Sequence, residues 1–129
     1  MANVMGARAD GWWRDRAGAA GRLHGDLAAL AARGVTALPP GMKAGHLDRW
    51  FPRYILVLEG QARPAARSLP EDPRVSVVLA PGSGDDTLAE LAATVRGPQV
   101  MVTADRELRR RAEAAGAAVT GPRWLLGLV

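Results

Sequence analysis

The chain has 129 residues, 48% of them apolar, a net charge of +4 and no cysteine. That length fits a single domain over residues 1–129 with a core of its own, and the composition argues against a disordered chain. The absence of cysteine excludes disulfides, thiolate metal sites and a thiol nucleophile.

No apolar run reaches the roughly 20 residues of a membrane span. The start "MANVMGARADGWW" has no basic segment ahead of a long apolar one, so no signal peptide is read there and a cytoplasmic protein without membrane association is expected. Of the seventeen basic residues only Lys43 is lysine. A basic balance favours a phosphate-bearing partner, although an ordinary solvated basic face has the same composition.

In chain order, Ala2 to Met5 reads as a very short first strand. A loop follows, then a helix in which Leu23, Leu27 and Leu30 share one face and Gly34 closes the end. The stretch "VTALPPGMKAGHLDRWFP" is a loop, marked by Pro39, Pro40, Gly41 and Pro52. "RYILVLEG" and "RVSVVLAPG" are strands. "DDTLAELAATVRG" is a helix carrying Leu88, Leu91 and Ala92 on one side. "QVMVTAD" is a strand, "RELRRRAEAAG" a helix stopped at Gly116, and "AAVTG" a short strand. "PRWLLGLV" ends the chain as a turn or helix opened by Pro122, and is expected to cover an apolar sheet face. The strands are continuous apolar runs, the pattern of a parallel sheet buried on both faces. The expected fold is a three-layer α/β domain: a parallel sheet of four or five strands between helices.

In such sheets functional groups collect at the carboxyl ends of the strands. Glu59 follows "YILVL", Asp85 and Asp86 follow the Gly-rich turn after "VSVVL", and Asp105 follows "VMVTA". Each has a local explanation. Asp105 favours a helix start, Ser83 to Asp86 and Thr87 to Glu90 fit capping boxes, and Glu59 can pair with Arg63. A cap does not account for Glu59, which no helix pattern directly follows. Close carboxylates repel by a few kcal/mol, roughly 4 kcal/mol at ~4 Å and an effective dielectric of ~20. A cation removes that repulsion, and an oxygen-only donor set suits Mg²⁺ or Mn²⁺. "DGWWRDRAG" sets two tryptophans beside Arg14 and Arg16, able to stack bases and hold phosphates, with one tryptophan expected in the core. Arg63 and Arg67 follow Glu59 and are further phosphate-contact candidates. "RELRRRAE" reads as a solvated helix face with a Glu107–Arg111 pair. His24 and His46 have no partner at ligand spacing, and "PGSGDD" lacks the P-loop pattern.

Four pieces, "ANVMGARADGWWRDRAGA", "ILVLEGQAR", "APGSGDDTLAEL" and "VTADRELRRRAEAAGAAVTGPRWLL", taken in this order, resemble the NYN branch of the PIN-like nuclease superfamily over nearly the whole chain. The resemblance implies a parallel sheet with the first strand central, and divalent-metal-dependent cleavage of RNA phosphodiesters. By position, Glu59, Asp85, Asp86 and Asp105 match the family's acidic pocket. Thr103 matches its small hydroxyl residue, and Asn3 matches the Asn of its opening D-G-x-N motif. The first Asp of that motif, a metal ligand in the family, is not in this chain, and Met1 stands at the Gly. Either the start lies upstream or the ligand is lost; the resemblance implies weak activity or none without it and a gain on placing Asp-Gly ahead of Ala2. Two other functions fit the same residues: a non-catalytic RNA- or protein-binding module, and a nucleoside triphosphate hydrolase or pyrophosphohydrolase. A homo-oligomer or protein partner is left undetermined.

Overall fold

The computed structural model describes residues 1–7, 11–39, 42 and 49–129. It is mixed α/β with short parallel strands. The helices are α1 (Ala2–Met5), α2 (Arg16–Arg33), α3 (Gly84–Thr94), α4 (Arg106–Ala114) and α5 (Pro122–Leu126). The strands are β1 (Tyr54–Leu58), β2 (Val75–Leu79), β3 (Val100–Val102) and β4 (Ala118–Thr120), and a 3₁₀ helix spans Gly60–Arg67. His46 and most of the expected loop around it lie outside the described residues.

Helix starts and stops follow local chemistry. Asp15 caps α2 by accepting from Gly18 N (2.8 Å), and Gly34, at φ 76°, closes it in a conformation that a side chain would resist. Ser83 caps α3, accepting from Asp85 N and Asp86 N. Asp105 caps α4, accepting from Leu108 N (2.8 Å). Pro122 occupies the first turn of α5. The second capping box does not form, because Thr87 lies inside α3.

Two readings are corrected. Residues 2–5 form a helical turn, not a strand: Val4 N and Met5 N both donate to Met1 O at 2.9 Å. Four residues satisfy their polar backbone more readily in one closed turn than along a ladder that needs a partner at each position. Among the described residues the strands form two parallel pairs, not one sheet of four or five. β1 pairs β2 from Tyr54↔Val75 to Leu58↔Leu79, and β3 pairs β4 from Val100↔Ala118 to Val102↔Thr120.

The apolar residues gather into two clusters. The larger joins Leu23, Leu27 and Leu30 of α2 to Leu56 and Leu58 of β1, Met5 of α1 and Leu125 of α5. The C-terminal segment is therefore part of this core. The smaller joins Ala92, Met101, Leu108 and Ala112. Val102 packs against the larger cluster, which brings the end of β3 toward β1. Burial on both sheet faces holds for Leu56 to Leu58 but not throughout: Ile55 is 42% and Leu79 44% exposed. Two-stranded sheets have too few neighbours to cover every face.

Tyr54 supplies a test of the core. Its hydroxyl is buried with no hydrogen-bond partner among the described residues. Burial raises its pKa above the ordinary tyrosine value, opposed in part by Arg33. On raising the pH, the unfolded chain ionises first, from about 10, so stability falls from there toward the folded value. Tyr54→Phe is expected to be neutral or stabilising by about 1 kcal/mol at neutral pH and to remove that alkaline loss. Tyr54 is the single tyrosine of the chain, so phenolate absorbance with alkaline melting curves checks this directly.

Candidate active site

Glu59 stands at the end of β1, in extended conformation (φ −129°, ψ 157°) ahead of the 3₁₀ helix. A helix does follow it, contrary to the sequence reading, but its side chain does not cap that helix. Its Oε2 accepts from Gly84 N of α3 at 2.6 Å. The acid at one strand end thus holds the start of the helix that follows the next strand. Gly84 is buried, and a Cβ there would overlap Glu59 Oε2, so glycine is what allows the approach.

Asn3 is the second organising residue. Its Nδ2 donates to Asp85 Oδ1 (2.9 Å), and its Oδ1 accepts from Thr103 Oγ1 (2.9 Å). Thr103 Oγ1 also accepts from Asp105 N (3.1 Å), and Thr103 is fully buried. A hydrogen-bonded chain therefore runs from the start of α4, through Thr103 and Asn3, to Asp85 in the first turn of α3. It ties the end of β3 to α1 and α3.

Glu59 and Asp85 line one cavity of about 530 Å³, together with Met1, Ala2, Asn3, Trp12, Arg16, Gly60, Gly82 and Ser83. The Met1 amino group donates to Val57 O (2.8 Å). Burial lowers its pKa, while the charges of Glu59 and then Asp85 act in the opposite sense. Both carboxylates therefore bear on the same point.

The other two acids are engaged elsewhere. Asp86 pairs with Arg111 of α4 (3.0 Å) on an exposed surface, where an ion pair contributes little. Asp105 caps α4 with its carboxylate, and among the described residues its backbone N–H links it to the cavity through Thr103 and Asn3. Among the described residues no three or more His, Asp or Glu are gathered so as to hold an ion by themselves. Glu107 bonds Arg110 (3.1 Å), not Arg111, which Asp86 already engages.

The basic candidates also separate. Arg16, the first residue of α2, lines the cavity and lies over Trp12, 5.5 Å from the ring centroid. Trp12 is half-buried and packs on the larger core cluster, as expected of one tryptophan. Trp13 is 54% exposed with Arg14 over it at 5.8 Å, and neither lines the cavity. Arg63 and Arg67 are exposed on the 3₁₀ helix, outside the lining. Sequence reasoning missed the Glu59–Gly84 bond and the Arg111–Asp86 pair; the glycine at 84, just after the Ser83 cap, was the only trace of the first. No helix among the described residues is long and apolar enough to cross a membrane. No protein-family model matches the chain, and no curated protein or solved structure does.

Proposed function

We propose that the chain is a divalent-metal-dependent ribonuclease of the NYN type, acting on RNA phosphodiesters at the cavity lined by Glu59 and Asp85. The observation that carries this reading is the chain Asp105–Thr103–Asn3–Asp85, which ends in the same cavity as Glu59. Two polar side chains a hundred positions apart, Asn3 and Thr103, spent on orienting one carboxylate is an arrangement that a simple helix cap does not require.

The donors fit a hard cation. The hydrogen bonds described use Oε2 of Glu59 and Oδ1 of Asp85, so Oε1 and Oδ2 are the atoms that would bind Mg²⁺ or Mn²⁺. Mg²⁺ commonly takes one or two carboxylates and fills its other positions with water and substrate phosphate, which two acids can serve. When bound, such an ion polarises the phosphodiester and makes water more acidic. Asn3 fixes the rotamer of Asp85, and Thr103 fixes Asn3. Glu59, anchored on Oε2 by Gly84 N, would present Oε1 to the ion in a fixed position. Asp86 and Asp105 serve the site by holding α3 and α4 in place.

The test is RNA cleavage by the chain in millimolar Mn²⁺ or Mg²⁺, against single-stranded RNA, structured RNA and nucleoside triphosphates. Cleavage of RNA that chelator abolishes is the expected result, and placing Asp-Gly ahead of Ala2 is expected to increase it. Metal is also expected to raise Tm, since a ligand at 100 times its Kd stabilises the native state by about 2.7 kcal/mol. A melting curve unmoved by metal would count against Glu59 and Asp85 as ligands. Failure to cleave any substrate, with RNA still bound, would favour the binding-module reading. That second reading draws on the presence of two acids, Glu59 and Asp85, among the described residues of the cavity lining.

A further inference from the structure

We propose that Arg16 is the centre of a phosphoryl-binding subsite in the cavity that Glu59 and Asp85 line, taking the phosphate of one nucleotide unit; the proposal builds on the nuclease reading and names its substrate anchor. Three observations carry it. First, Arg16 Nε is buried and has no hydrogen-bond partner among the described residues. A buried donor on a charged group is unfavourable until an acceptor oxygen arrives. The planar guanidinium matches phosphate oxygens in pairs, so phosphate is the acceptor it fits best.

Second, the group is held before any ligand binds. Its Cζ lies 5.5 Å from the Trp12 ring centroid, and Trp12 is seated against the core. The attraction of the guanidinium to the ring fixes the fork and lowers the ordering cost of binding. Arg14 differs: it lies over exposed Trp13 and outside the cavity lining.

Third, the cavity is of limited size and Arg16 is its cationic side chain among the described residues. The first N–H groups of α3 are already taken by Glu59 and Ser83, so Arg16 is the cationic side chain of the lining that an entering anion would meet. The volume, about 530 Å³, is that of a small-molecule site and takes one nucleotide unit. Glu59 and Asp85 would repel a bare phosphate, so affinity for it should rise when a divalent cation is present.

The experiment titrates AMP and adenosine into the full chain, with and without Mn²⁺, by calorimetry. AMP is expected to bind at least about tenfold more tightly than adenosine, and more tightly with Mn²⁺ than without. Arg16→Gln should weaken AMP about tenfold or more while the Mn²⁺-induced rise in Tm persists, and Arg16→Lys should restore only part of the affinity. Exposed Arg96→Gln should bind as the unaltered chain does. Oligoribonucleotides with a 5′-phosphate or a 5′-hydroxyl then identify the source. Loss on removing the phosphate marks a terminal group, and equal binding that Arg16→Gln still abolishes marks an internal diester. AMP and adenosine binding alike, or Arg16→Gln binding AMP undiminished, overturns the subsite. If Arg16→Gln does not fold, Arg16→Lys decides, and undiminished AMP affinity there overturns it equally. A chain that binds Mn²⁺ but not AMP fails this proposal alone; one that binds AMP through Arg16 but never responds to metal fails the nuclease reading alone.

Discussion

Replacing Glu59 by glutamine, or Asp85 by asparagine, is expected to lower kcat for RNA cleavage by about 100-fold or more with little change in Tm. Each substitution removes charge and keeps shape. The glutamine retains a carbonyl oxygen for Gly84 N, so the start of α3 stays anchored. The asparagine retains one for Asn3 Nδ2, so the link to Thr103 survives. What is lost is the negative charge that would hold a cation. Removing one preorganised electrostatic group from an active site commonly costs about 10²–10³ in rate. The measurement is kcat at saturating metal beside melting curves of the same preparations. Full activity in either variant would remove that carboxylate from the mechanism, whatever its place in the cavity.

Thr103→Val is expected to cost about 2 kcal/mol of stability and to depress cleavage as well. Valine fills nearly the same volume, so the effect isolates the hydroxyl. Thr103 is fully buried, and its Oγ1 both donates to Asn3 and accepts from Asp105 N. Valine leaves half-buried Asn3 and the backbone N–H of exposed Asp105 without the hydroxyl, and a buried polar group without a partner costs about 1–3 kcal/mol. Freed from Thr103, Asn3 no longer fixes Asp85, so activity falls although no residue of the cavity lining has changed. Thr103→Ser retains the hydroxyl and should recover most of the activity, with a smaller loss of stability from the missing methyl. Equal activity in the valine and serine variants would show that the link to Asn3 does not serve the reaction. Chemical denaturation alongside the cleavage assay reads both effects.

The local elements were legible in the sequence because their causes lie within a few residues. The leucines at 23, 27 and 30 define the buried face of α2, and Gly34 ends it. Ser83, Asp105 and Pro122 mark helix starts through bonds to backbone two or three residues on, or through a fixed φ. The apolar runs at 54–58 and 75–79 are strands, and the acids do follow strand ends. The same local patterns misled at residues 2–5, where four residues carry too little periodicity to separate a turn of helix from a strand. Partition into two sheet pairs, and the exposure of Ile55 and Leu79, depend on which elements stack, and no single segment encodes that. The site depended on tertiary structure most of all. Asn3 meets Asp85 across 82 positions and Thr103 across 100, and Glu59 meets Gly84 across 25. Asp86, adjacent to Asp85, is turned by the helix to Arg111 instead. A side-chain hydrogen bond needs its partners within about 3 Å. Between residues so far apart in sequence, only the packing of α1, α3 and the end of β3 around one cavity sets that distance.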